Sequence, residues 1–191
     1  MENKISGLIL AAGQGKRAGY AKLSRMIGDK PMLEHVAEKA VKSDLSEIIV
    51  VTGFERDFAE QIAKKYGFKT CHNSNYEKGM STSLKKGVQV LSDDCLGFAV
   101  ILGDMPYIKT STIDALITAY LDCQKGFVIP TYQNRRGHPT IISTKYRQEI
   151  LEIYGDKGAR DVIGANIEDV LFLEVDDVGI LKDVDTFPNR Q

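Results

Sequence analysis

Three stretches of this chain combine residue types that suit phosphate and divalent-cation chemistry. The first is Ala11-Ala12-Gly13-Gln14-Gly15-Lys16-Arg17-Ala18-Gly19-Tyr20-Ala21-Lys22. Glycines and small residues let backbone N–H groups approach a phosphate closely, and Lys16, Arg17 and Lys22 add full positive charge. The second, Leu102-Gly103-Asp104-Met105-Pro106, holds a carboxylate between a glycine and a proline, a hard oxygen donor of the kind magnesium takes. The third, Asn73 to Leu84, is dense in hydroxyls and amides around Gly79-Met80-Ser81-Thr82-Ser83. Near the C-terminus, Asp183-Val184-Asp185 places two carboxylates on alternate residues, facing the same way if the segment is extended.

Each stretch has a plainer reading beside the chemical one. The first is a surface loop, Asp104 a turn cap, and Ser81, Thr82 and Ser83 caps of the helix that follows them. Asp183 and Asp185 taken alone are solvated acids. A dinucleotide fingerprint is excluded although Gly13-x-Gly15-x-x-Ala18 satisfies its permissive form. That motif opens a helix at once and needs an acid at the end of the second strand. Here the chain stays polar to Lys30-Pro31, and the second strand ends Val51-Thr52-Gly53. No Gly-x-x-x-x-Gly-Lys-Ser/Thr string is present, which excludes a P-loop.

The elements that must position these stretches follow from hydrophobic period. Strands are expected at Ile5–Leu10, Ile48–Thr52, Phe68–Cys71, Gly97–Leu102, Phe127–Pro130, Thr140–Ile142 and Val170–Val175. Helices are expected from Pro31, over Arg56–Tyr66 with Gly67 as its stop, over Ser81–Leu91, over Thr110–Cys123 capped by Thr110 or Ser111, near Tyr146–Tyr154, and after Gly158. The apolar run Gly97–Leu102 reads as a central strand. This order predicts an α/β fold, a single Rossmann-like domain over 1–191 with a mainly parallel, mixed sheet and helices on both faces. Ligands then bind beyond the carboxyl ends of the strands, where the first and second stretches lie.

Composition narrows the function classes. Hydrophobic residues make up 43% and charged residues 27%, an ordinary globular balance. The formal net charge is -1, so no global basic field points to nucleic acid, and any phosphate must be held by local groups. Cys71, Cys95 and Cys123 form no CxxC pair, which argues against a zinc knuckle and for reduced thiols. No apolar run reaches the length of a membrane helix or a signal-peptide core, so the expectation is a cytoplasmic protein with no membrane and no nucleic-acid partner.

Leu10-Ala11-Ala12-Gly13-x-Gly15-x-Arg17-x-Gly19-x-x-Lys22 resembles the signature of molybdenum-cofactor and sugar-phosphate nucleotidyltransferases, the MobA-like NTP transferases. Gly79-Met80-Ser81-Thr82-Ser83-Leu84, Gly103-Asp104-Met105-Pro106, Arg136-Gly137-His138-Pro139, Gly155-Asp156-Lys157-Gly158-Ala159-Arg160 and Asp183-x-Asp185-Thr186 are similar to the cytidylyltransferase (MocA-like) branch. The sequence departs from the pattern at Ala18, at Tyr20 and at Phe187-Pro188-Asn189.

The resemblance implies a nucleotidyl fold and a reaction of CTP with a molybdopterin-type phosphate, and Mg²⁺ as cofactor. It assigns Leu10, Ala11, Ala12, Gly13, Gly15, Lys16, Arg17, Lys22, Ser81, Ser83, Gly103 and Asp104 to the nucleotide, and Arg17, Lys22 and Asp104 to catalysis. The metal falls to Asp104 with Asp185, or Asp183 in its place. Arg136, His138, Lys157 and Arg160 fall on the acceptor side. The recipient molybdoenzyme or its chaperone is an implied partner. Ala12 before Gly13 leans toward CTP, where a second glycine leans toward GTP. A GTP-using molybdopterin guanylyltransferase and a sugar-phosphate nucleotidyltransferase are the enzyme alternatives, and a non-catalytic nucleotide binder is the alternative outside enzymes.

Overall fold

The computed structural model describes residues 4–14 and 21–183. Strand β1 (Ile5–Ala11) is followed by a small hairpin of β2 (Met26–Ile27) and β3 (Lys30–Pro31), then helix α1 (Met32–Val41). Strand β4 (Glu47–Thr52), helix α2 (Arg56–Lys65), strand β5 (Lys69–His72), helix α3 (Met80–Gln89), strand β6 (Gly97–Leu102) and helix α4 (Thr110–Asp122) continue the alternation. Strand β7 (Phe127–Tyr132) turns into β8 (Arg135–Arg136), and β9 (Thr140–Ser143), α5 (Arg147–Glu152), α6 (Arg160–Ala165) and β10 (Val170–Glu174) follow.

The main sheet runs β10-β7-β9-β6-β1-β4-β5, with β8 on β7. β5, β4, β1 and β6 are mutually parallel, and β10 is parallel to β7. β9 runs antiparallel to both β6 and β7 and joins the two parallel blocks. The sheet is therefore mixed and mainly parallel, as the pattern predicted. The reversal of β9 was not legible, because a short apolar run carries no direction.

Alternation along β1 separates two cores. Ile5, Ile9 and Ala11 pack with α1, α2 and α4 through Leu33, Val36, Ala59, Ile113 and Leu116. Leu8 faces the other way, toward Leu84 and Val88 of α3, Ile150 of α5 and Val162 of α6. Phe98 and Phe127 are fully buried in this second layer. Burying a side chain of that size contributes roughly 1.5–3 kcal/mol over leaving it exposed. Both sheet faces are thus covered, and the crevice left for chemistry lies at the carboxyl ends of β1, β4, β5 and β6.

Two caps differ from expectation. α4 begins after Lys109, which makes no side-chain cap, and neither Thr110 nor Ser111 takes that role. Asp177, 2% exposed, accepts from Lys109 N at 2.8 Å, from Thr112 Oγ1 at 2.7 Å and from Gly179 N at 2.9 Å. A cap delivered from 65 residues away cannot be read from local sequence. α3 begins after Gly79, also without a side-chain cap, and Asp156 Oδ1 accepts from Met80 N at 2.8 Å. Ser81 N donates to Gly155 O at 3.2 Å. Gly79 has φ +105, and a Cβ there would sit 2.6 Å from Gly155 O, so both the torsion and the contact call for glycine.

Asp177→Ala strands three donors that are bound to one buried carboxylate. Its unfolding free energy in urea should fall by about 3 kcal/mol, the scale of losing charged hydrogen bonds from a buried site. A loss below about 0.5 kcal/mol would show that water replaces the carboxylate there.

Candidate active site

The first loop leaves β1 at Ala11 and re-enters the described chain at Ala21. Because β1 and β6 are parallel neighbours with Leu10 opposite Leu102, the loops after both strands open on the same side. Gly103 N donates to Leu10 O at 3.0 Å and fastens the start of the second loop to the first. Lys22 Nζ then meets Asp104 Oδ2 at 2.8 Å. The lysine side chain is 7% exposed and the aspartate 30%, so the pair sits at the floor of an open cleft.

That cleft has a volume of about 200 Å³. Leu10, Ala11, Ala12, Gly13, Lys22 and Leu23 line one side, Leu102 and Asp104 the floor, and Tyr76, Gly79, Met80 and Ser83 the opposite wall. Every described residue assigned to the nucleotide therefore lines it except Ser81 and Gly103. Gly103 is packed against the lining, and a Cβ added there would sit 3.0 Å from Leu10 O and 3.4 Å from the Leu23 side chain. Ser81 is 0% exposed, and its hydroxyl meets no hydrogen-bond partner among the described residues. Its backbone N–H is held by Gly155 O at 3.2 Å, and the residue is not part of the cleft lining. Gly15, Lys16, Arg17 and Asp185 lie outside the described residues.

Two hydroxyls in the first turn of α3 are taken up by an amide from the segment before it. Asn73, 4% exposed, donates from Nδ2 to Thr82 Oγ1 at 2.9 Å and to Ser83 Oγ at 3.0 Å. Its Oδ1 accepts from Asn75 N at 3.0 Å and shapes the turn into Tyr76. The Tyr76 ring meets Phe54 edge-on, 6.4 Å between centroids, and Gln14 Nε2 donates to Glu77 Oε1 at 2.9 Å. These contacts draw the start of the first loop, the Phe54 turn and the Tyr76 segment together. Tyr76, Met80, Leu23 and Leu102 had no single-residue signal in the sequence, since an apolar cleft residue looks like any other apolar residue.

The acceptor-side residues divide. His138 Nδ1 is sealed from solvent with no partner among the described residues. Burial pushes its imidazole below the ordinary histidine value. A hydrogen bond with the Val100 backbone and the charge of Asp104 act the other way, and Arg160 adds to the lowering. His138 thus feels both Asp104 and Arg160, beside the cleft floor. Lys157 pairs with Asp161 at 3.2 Å on an exposed turn. Arg136 stacks its guanidinium 4.4 Å from the Phe172 ring centroid, over β10 and outside the cleft lining. Asp183 is half-buried and has partners of its own. Among the described residues no three His, Cys, Asp or Glu side chains gather as a metal cage. No helix among them is long and apolar enough to cross a membrane.

A family model described as the MobA-like NTP transferase domain matches residues 7–170. The chain is 30% identical over 165 residues to the bifunctional protein GlmU of Acholeplasma laidlawii, covering 83% of this chain and 35% of that protein. It therefore spans about a third of the length of GlmU. It is 27% identical over 184 residues to the molybdenum cofactor cytidylyltransferase of Escherichia coli, covering 95% of this chain and 91% of that one. Its fold matches the crystal structure of Rv0371c from Mycobacterium tuberculosis with TM-score 0.86 at 24% identity, over 97% and 94% of the two chains. A structure of Rv0371C in complex with manganese matches with TM-score 0.78 at 20% identity, over 90% and 88%.

The His138 environment sets a pH dependence. A buried imidazole with a lowered value binds fewer protons folded than unfolded, so stability falls as pH drops below about 6.5. Urea unfolding at pH 7.5 and 5.5 should show a larger loss in the unsubstituted protein than in His138→Gln. Equal losses would mean that His138 protonates without cost.

Proposed function

The chain belongs to the MobA-like NTP transferase family, and from that membership we propose that it transfers CMP from CTP to the terminal phosphate of molybdopterin, releasing pyrophosphate. The observation that carries the reading is the meeting of Lys22 and Asp104 at 2.8 Å on the floor of a cleft whose rim is Ala11-Ala12-Gly13. The near full-length likeness to the Escherichia coli molybdenum cofactor cytidylyltransferase supports the choice of substrates.

Asp104 suits magnesium on the chemistry of its donors. Magnesium binds through one or two carboxylates together with substrate phosphates and retained waters, not through an all-protein cage. A single strand-tip carboxylate facing a phosphate cleft is such a donor, and Asp183 or Asp185 is the proposed second. When bound, the ion supplies charge neutralisation across the phosphate oxygens.

The remaining work falls to the chain. Backbone amides at Ala12 and Gly13 approach the triphosphate, and the Lys22 ammonium, held at Asp104 in the free protein, is within reach of phosphate oxygens in the cleft. Arg17 and Lys16 add charge toward the leaving pyrophosphate. Tyr76, Met80 and Ser83 wall the base. Lys157, Arg160 and Arg136 are the proposed acceptor contacts, and the sealed His138 supports that side from within. A phosphate monoester oxygen attacks the α-phosphorus in line, the new O–P bond forms, and the bond to pyrophosphate breaks. An ionised phosphate is already nucleophilic, so no side-chain base is needed. Holding two anions together in register contributes up to about 7–11 kcal/mol in favourable systems. Electrostatic complementarity to the crowded phosphates adds to it. The reaction is read as cytoplasmic, delivering product to a molybdoenzyme or its chaperone.

A second reading, a sugar 1-phosphate as acceptor, is supported by the resemblance of Leu10 to Lys22 to the signature shared with sugar-phosphate nucleotidyltransferases. One experiment separates them. Each of the four nucleoside triphosphates is offered with Mg²⁺ and either molybdopterin or a hexose 1-phosphate, and pyrophosphate and product are measured. Product from CTP and molybdopterin alone is expected. Turnover with GTP, or with the sugar phosphate, would replace the proposed substrate accordingly. Asp104→Ala should lower kcat by roughly 10²–10³-fold, the scale of losing one electrostatic group in a preorganised site. Its melting temperature should fall, because the buried Lys22 loses Asp104 as a charge partner, but the variant should still fold, and normal turnover would remove Asp104 from the reaction.

A further inference from the structure

Glu55 stands at the N-cap position of α2, yet its carboxylate makes no cap there. The side chain turns back into the protein, and the residue is 9% exposed. Oε1 accepts from Leu23 N at 2.7 Å, and Oε2 accepts from Ser24 N at 3.0 Å. These are the two amides that directly follow Lys22. Two charged hydrogen bonds to consecutive amides fix the direction of the peptide that carries the lysine.

The same turn also holds the other flank of the first loop. Phe54 N donates to Ala12 O at 3.1 Å. A Cβ on Gly53 would lie 2.5 Å from that carbonyl, so the two backbones are in direct contact. Gly53-Phe54-Glu55 therefore grips the loop at its departure and at its return. Downstream, Leu33 N donates to Leu23 O at 3.1 Å, and the Leu23 side chain is buried beside Gly103. Lys22 is thereby placed from its backbone, and the long side chain needs little further ordering to reach Asp104.

We infer that Glu55 is a positioning residue for Lys22: by clamping the Leu23 and Ser24 amides it sets the reach of the Lys22 ammonium into the cleft. The inference rests on the phosphate role given above to Lys22. Glu55 is not itself part of the cleft lining, so its effect must pass through the Leu23 and Ser24 amides it holds.

The test is a double-substitution cycle read by binding of Mg·pyrophosphate and of Mg·CTP, measured by calorimetry on the full chain. Pyrophosphate reports on the phosphate grip without depending on the base. Glu55→Ala should weaken both ligands roughly tenfold, as expected for about 1.4 kcal/mol of lost positioning. Glu55→Gln retains one good acceptor and should fall between. In the Lys22→Ala background, Glu55→Ala or Glu55→Gln should weaken binding no further, because neighbours acting through one group are not additive. Additive losses in that background, or full affinity in Glu55→Gln and Glu55→Ala, would overturn the clamp while leaving Lys22 as a phosphate ligand. Unchanged affinity in Lys22→Ala alone would overturn the phosphate role itself, and the clamp with it. If Glu55→Ala does not fold, the Gln variant carries the cycle unaided.

Discussion

Parallel pairing of β1 with β6 is the constraint on which the site depends. Leu10 stands opposite Leu102, so both strands deliver their following loops to one edge at one height. Gly103 N on Leu10 O then ties the two loops where they start, and Lys22 and Asp104 close the gap 82 residues apart in sequence. Had β6 run the other way, Asp104 would lie at the far edge of the sheet. Partial burial matters too. With the lysine side chain 7% exposed and the aspartate 30%, neither charge is fully solvated, and each lowers the cost of holding the other there.

The opposite wall is organised by a different device. The N-terminus of α3 receives its cap from Asp156, in a segment separated from it by four strands and two helices. Gly79 and Met80, which line the cleft, are the residues that this contact fixes. Lys157 and Arg160, read as acceptor-side residues, flank the same segment. The wall that would meet a nucleoside and the loop that would meet an acceptor are thus one packed unit. Asn73 serves the same end from below by taking up Thr82 and Ser83, leaving the helix face toward the cleft shaped by Met80 and Ser83.

Electrostatics explains why such local arrangement is needed. At a formal net charge of -1 the molecule as a whole does not attract an anion. Amides, lysines and arginines must be gathered at one place, and a glycine-bearing loop at a strand end gathers them at little steric cost. Clamping such a loop at both flanks, as the Gly53-Phe54-Glu55 turn does, answers the entropy that its glycines would otherwise retain.

Much of this was legible beforehand. The period of apolar residues gave nearly every strand and helix, and the Gly97–Leu102 run was placed correctly as an internal strand. The cluster of glycine and cation after β1, and the acid after β6, marked the cleft because such residues serve chemistry better than packing. Local sequence also misled where a local answer was assumed: Thr110, Ser111 and Ser81 do not cap their helices. What the sequence by itself determined was which segments fold and which loops carry charge, since propensity and period act over a few residues. The tertiary structure alone decided the reversed β9, the remote caps from Asp156 and Asp177, the hold of Glu55 on the Lys22 peptide, and the meeting of Lys22 with Asp104. Each of these joins residues far apart along the chain, and only the order and direction of the strands brings such residues within hydrogen-bond range.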